Sequence, residues 1–179
     1  HGRGADEHDL LPLADAVDPE RRLVVAAPRG PLSMPPGGAH WYAVRRIGYP
    51  DPETFLAVLP HLAAWLDALP ETTGVPLART VVGGFSQGCV MTHALAFGPG
   101  RPAPAGIIGL SGFMPTVDGF PLELGAREGF RAFLGHGTYD PVIGVEWGHD
   151  ARDRLVAAGA DVTYEEDAMA HTIAPRVVP

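Results

Sequence analysis

The chain has 179 residues, 46% of them hydrophobic and 19% charged, the balance of one globular domain (1–179) with a single sizeable core and not of a disordered segment. Its net charge of -8 at pH 7 argues against nucleic acid and against an anionic membrane surface as partners, because neither polyanion gains from an acidic protein. One cysteine, Cys89, permits no internal disulfide, so a reducing, cytoplasmic setting is expected, and no apolar run is long enough to span a bilayer.

Residues 6–17 place Leu10, Leu11, Leu13, Ala14 and Val17 at helical spacing, and 23–27 reads as a short buried strand. A Pro/Gly-rich loop follows over 28–38. Asp51-Pro52-Glu53 is a helix start, with a capping aspartate and a proline in the first turn. Phe55, Val58, Leu59, Leu62, Trp65, Leu66 and Leu69 then recur on one face, with Pro60 expected to bend the helix. Val81-Val82-Gly83-Gly84-Phe85 is an apolar strand that breaks into Gly84-Phe85-Ser86-Gln87-Gly88 and continues as a helix. Further strands are expected over 105–110, 130–137 and 161–166, with a helix over 147–158 ending at Gly159. Strands separated by helices of this length predict an α/β fold with a mostly parallel sheet, covered by helices on both faces.

The Gly-x-Ser-x-Gly segment between a strand and a helix has the form of a nucleophile elbow. There the serine takes a strained backbone conformation, and the flanking glycines leave room for the close approach of strand and helix. A serine hydroxyl is too weakly acidic to attack unaided, so it needs a base, and the base needs an orienting carboxylate. On this scaffold the acid and then the histidine follow in the chain. Asp140 lies in the turn leaving the carboxyl end of the 130–137 strand, and His171 in the loop after the 161–166 strand. Ser86, Asp140 and His171 are therefore the expected nucleophile, acid and base. His8, His40, His61, His93, His136 and His149 lack the close pairing of a metal-binding motif such as His-Glu-x-x-His, so no metal or other cofactor is expected.

Together with the opening His1-Gly2-Arg3-Gly4-Ala5-Asp6, with Leu110-Ser111-Gly112-Phe113-Met114-Pro115, His136-Gly137-Thr138-Tyr139-Asp140-Pro141-Val142 and the closing His171-Thr172-Ile173, the chain resembles the carboxylesterase/phospholipase group of α/β-hydrolases, which includes acyl-protein thioesterases and small bacterial esterases. The resemblance covers nearly the whole chain. It departs at Cys89 and Ala170, where the group usually carries glycine. The sequence opens at the loop that would follow a central strand and stops at Pro179, so it is read as part of a longer domain whose upstream strands and final helix lie outside it.

The resemblance implies an α/β-hydrolase fold and an oxyanion hole built from the main-chain N–H groups of Arg3 and Gln87. By the same resemblance, the loops over 34–49 and 113–127 border an acyl pocket, with Trp41, Met114 and Val142 as candidate substrate-binding residues. Apolar loops beside Ser86 point to an ester or thioester with a short to medium aliphatic acyl group. No cationic cluster is evident that would mark a phosphorylated substrate, and the side chain of Arg3 is expected to be dispensable. Two other classes stay open: a non-catalytic ligand-binding protein on the same fold, and an acyltransferase using the same three residues. The sequence does not fix the oligomeric state, a homodimer included.

Overall fold

The computed structural model describes residues 1–174. The chain opens with turns and a short helix, α1 (Leu11–Val17). The 6–17 helix of the sequence reading is shortened at its start because Pro12 is tolerated only in a first turn. None of its residues is buried.

The 23–27 segment is not a strand. Leu23, Val24 and Val25 are all at least half exposed, and the segment pairs with no strand among the described residues. Instead the Asp18 carboxylate accepts the Leu23 N–H at 2.6 Å. The loop that follows holds two small antiparallel hairpins: β1 (Leu32–Met34) with β2 (Gly38–His40), and β3 (Val44–Arg46) with β4 (Tyr49–Pro50).

Helix α2 (Pro52–Thr73) begins at Asp51, whose carboxylate accepts from both the backbone N–H and the hydroxyl of Thr54, and ends at Gly74 in the left-handed conformation. It runs on through Pro60 and Pro70. Then come β5 (Val81–Phe85), α3 (Gln87–Phe97), β6 (Gly106–Leu110), β7 (Arg131–Gly137), α4 (Val145–Ala157) and β8 (Asp161–Asp167). The four long strands form one parallel sheet in the order β5-β6-β7-β8. This is an α/β fold in which each parallel pair is joined by a crossover that returns the chain to the same end of the sheet.

Helix α3 is buried along its whole length, so it serves two cores at once. On one side Val90, Met91 and Leu95 pack with Phe55, Leu62 and Leu66 of α2 and with Tyr42 and Phe113. On the other, Ala96 and Phe97 meet Ile107, Ala132 and Leu134 of the sheet and Ala151 and Leu155 of α4. The sheet is thereby fixed to the helix whose first turn carries Ser86 at its cap. Among the described residues no helix is long and apolar enough to cross a membrane.

Candidate active site

Ser86 sits between β5 and α3 with φ 55° and ψ -118°, a left-handed value that side chains seldom adopt and that marks a functional turn. Hydrogen bonds hold it there: its N–H donates to Leu110 O at 2.8 Å, and its carbonyl accepts from Cys89 N–H at 3.0 Å. A Cβ on Gly84 would overlap the backbone of Gly88, so strand and helix approach this closely only because Gly84 lacks one.

The acid comes from the turn after β7. Asp140 Oδ1 accepts the N–H groups of Val142 and Ile143 at 2.8 and 2.9 Å, and its side chain is fully buried. The other oxygen, Oδ2, accepts from His171 Nδ1 at 2.6 Å, which assigns the proton on the ring to Nδ1. His171 Nε2 then accepts from the Ser86 hydroxyl at 3.0 Å. The ring is packed against Phe85, centroid to centroid 4.8 Å. Thr138 N–H donates to Asp167 O and Tyr139 N–H to Met169 O, so the turn bearing the acid and the loop bearing the histidine are tied to each other.

The opening loop lies beside the elbow. Gly4 N–H donates to Ala39 O and Ala39 N–H to Ala5 O, both at 2.8 Å. His1 is buried, accepts Gly30 N–H at Nε2 and donates from Nδ1 to Gly2 O. Among the described residues, the N–H groups of Arg3 and Gln87 reach no protein acceptor, and both residues line the same cavity as Ser86 and His171. The Gln87 N–H also opens a helix, where the first amides have no intrahelical partner.

That cavity has a volume of about 320 Å³. Of the candidate substrate contacts, Val142 lines it and Trp41 and Met114 do not. Trp41 is turned into the protein: its ring stacks on His1 at 4.9 Å and its indole N–H donates to His1 O at 2.9 Å. Met114 is buried in the core between α3, β7 and α4. Their chain neighbours Tyr42 and Phe113 take the places at the cavity wall. The Gln87 side chain, which sequence reasoning passed over, accepts Trp41 N–H at 3.0 Å and donates to Tyr42 O at 2.9 Å. It thus pins the start of the cavity wall to the first turn of α3.

Hairpin β3–β4 was also missed; it supplies Val44, Arg46, Ile47 and Tyr49 to the cavity. The Ile47-Gly48 pair between two short runs is the signal that could have found it. Arg46, at the end of β3, and Arg3 both line this cavity. Cys89 is fully buried, and burial pushes its thiol up to about 12, so it remains an unreactive core group.

A parallel sheet crossed by a strand–serine–helix elbow, with a carboxylate and a histidine delivered by its later strands, defines an α/β-hydrolase. The chain belongs to the Phospholipase/Carboxylesterase family, whose model matches residues 1–178. It is 31% identical over 169 residues to acyl-protein thioesterase 1 of Yarrowia lipolytica, covering 87% of this chain and 74% of that one. It is 30% identical over 145 residues to mouse lysophospholipase-like protein 1, covering 77% and 60%. Among solved structures it is similar to the Bacillus cereus carboxylesterase, with TM-score 0.84, 27% identity, and coverage of 99% of this chain and 81% of that one.

Proposed function

We propose that this protein is a cofactor-independent serine hydrolase that cleaves carboxylic esters or acyl thioesters with short to medium aliphatic acyl groups through an acyl-enzyme. The observation that carries the proposal is a single imidazole, His171, bonded at 3.0 Å to Ser86 Oγ and at 2.6 Å to Asp140 Oδ2. Kinship with thioesterases and carboxylesterases supports it.

In this reading His171 takes the Ser86 proton as Oγ attacks the carbonyl carbon. The buried Asp140 holds the ring in the tautomer that leaves Nε2 free and stabilises the imidazolium that forms. Negative charge moves to the carbonyl oxygen, which accepts from the N–H groups of Arg3 and Gln87. As the tetrahedral species collapses, His171 returns the proton to the departing alcohol or thiol. Water, deprotonated by the same imidazole, then resolves the acyl-enzyme and frees the acid. The apolar part of the wall, with Tyr42, Val44, Phe113, Val142 and Ile143, suits an aliphatic acyl chain.

Labelling with a fluorophosphonate probe, together with turnover of 4-nitrophenyl esters, tests the proposal. Ser86→Ala should abolish labelling and lower turnover on the order of a million-fold, whereas Asp140→Asn should cost about 10⁴-fold. Labelling that persists in Ser86→Ala would remove Ser86 from the role of nucleophile.

A further inference from the structure

Within a chain of 21 acidic and 13 basic residues, the cavity beside Ser86 has the opposite character. Its lining includes two arginines, Arg3 and Arg46, and no aspartate or glutamate. Seven other arginines are each paired with a carboxylate: Arg21, Arg22, Arg29, Arg45, Arg101, Arg152 and Arg154. Arg3 and Arg46, like Arg79, Arg127 and Arg131, show no carboxylate partner among the described residues, and of these five only Arg3 and Arg46 line the cavity of Ser86. The contrast is sharpest within one hairpin, where Arg45 bonds Asp51 at 3.0 Å while the adjacent Arg46 lies over the Tyr49 ring, 3.5 Å from its centroid.

Arg46 is also held in place. Tyr49 meets Trp147 of α4 edge-on at 6.3 Å, and the turn below it is fastened by the Thr116 hydroxyl, which donates to Gly48 O. A guanidinium stacked on an aromatic ring keeps its N–H groups in the ring plane, free for two acceptor oxygens, at less entropic cost than a free side chain. An uncharged aliphatic ester makes no use of two guanidinium groups that face its cavity without a carboxylate.

We propose that Arg3 and Arg46 form an anion subsite, against the expectation that the Arg3 side chain is dispensable. It selects esters or thioesters that carry a carboxylate or phosphate away from the reacting carbonyl, with the aliphatic stretch lying along Tyr42, Val44 and Phe113. The proposal rests on the hydrolase reading for its reaction but not for its binding. In the reaction, Ser86 Oγ bonds to the carbonyl carbon, the bond to the alcohol or thiol breaks with return of the proton from His171, and the anion stays ion-paired and takes no part.

The test compares kcat/KM for 4-nitrophenyl hydrogen adipate against 4-nitrophenyl hexanoate, and for 1-butyrylglycerol 3-phosphate against 1-butyrylglycerol. These pairs place a carboxylate on the acyl side and a phosphate on the alcohol side. At least one anionic ester should be preferred by about tenfold at low ionic strength, and the preference should shrink in 0.5 M NaCl, where charges are screened within a few ångström. Arg46→Lys should retain part of the preference, and Arg46→Glu should invert it, mainly through KM. Preference for neither anion, or a preference that Arg46→Glu leaves unchanged, overturns the subsite.

Calorimetric titration of the preferred anionic ester and of its neutral counterpart into Ser86→Ala, with and without Arg46→Glu, separates the two readings. Anion-selective binding that is lost with Arg46→Glu, in a protein that hydrolyses nothing, would keep the subsite and reject the hydrolase. Equal binding of both esters would reject the subsite alone.

Discussion

Trp41→Phe is a test of what the indole does. The ring stacks on His1 and its N–H donates to the His1 carbonyl, while Gln87 Oε1 takes the Trp41 backbone N–H. Phenylalanine keeps a ring against His1 and removes the donor. The His1 carbonyl, in a buried residue, is then left without its indole partner, which costs about 1–3 kcal/mol. For a domain of this size that corresponds to a fall in Tm of roughly 2–10 °C. His1 leads directly into Gly2-Arg3, so the Arg3 amide should lose its fixed aim.

One oxyanion donor is worth about 10²–10³-fold, and a loosened one should forfeit part of that, about tenfold in kcat. The loss should be equal for 4-nitrophenyl acetate, butyrate and octanoate, because the indole does not face the cavity. Steady-state kinetics across the three esters, paired with thermal melts, checks both halves. A shift of more than about threefold in the octanoate-to-acetate ratio at unchanged Tm would mean that the indole touches the acyl chain after all, and the support role would fail.

Gly38→Val should behave similarly from the other side of the loop. A Cβ at Gly38 would overlap the Gly4 carbonyl, so kcat should fall by up to about 10²-fold as the Arg3 amide is displaced, read against the fluorophosphonate labelling rate. His93 gives a pH-dependent prediction. Burial lowers its pKa to about 4, against about 6.5 when unfolded, so the unfolded state binds the extra proton in between. Its contribution to stability is complete above pH 6.5 and is lost as pH falls towards 4, by at most about 3 kcal/mol. Urea melts at pH 7 and pH 4.5 should show a smaller difference in His93→Met than in the wild type; an equal difference would assign the acid sensitivity to other groups.

The hydrogen-bonded group of Ser86, His171 and Asp140 was legible because it is written in short, local patterns: a glycine-flanked serine after an apolar strand, an aspartate in the turn after a second strand, a histidine after a third. The cavity wall was harder to read, and it failed by one residue at a time. Trp41 and Tyr42 fall in a bend and Phe113 and Met114 outside any strand, and in each pair one side chain turns inward while its neighbour lines the cavity. Hydrophobicity marks both members of each pair equally and carries no parity. The 23–27 segment reads as a buried strand by composition, yet its burial depends on a neighbour that composition does not name. Arg45 and Arg46 are adjacent and chemically identical in the sequence, and only the turn at Ile47-Gly48, with Asp51 engaging one of the two, separates their roles.

The turn after β7 has an implication for how this protein changes over time. Asp140 is held by the N–H groups of Val142 and Ile143, and those same two residues form part of the cavity wall. Remodelling the pocket there would disturb the carboxylate that orients His171, so substrate range and chemistry are not independent at that edge. The β3–β4 hairpin carries no such double duty: Val44, Arg46, Ile47 and Tyr49 line the cavity without bonding to Ser86, Asp140 or His171. Divergence in preference among related chains should therefore accumulate in the hairpin, while the Asp140 turn stays fixed, and libraries built to retarget the enzyme should be drawn from residues 44–49.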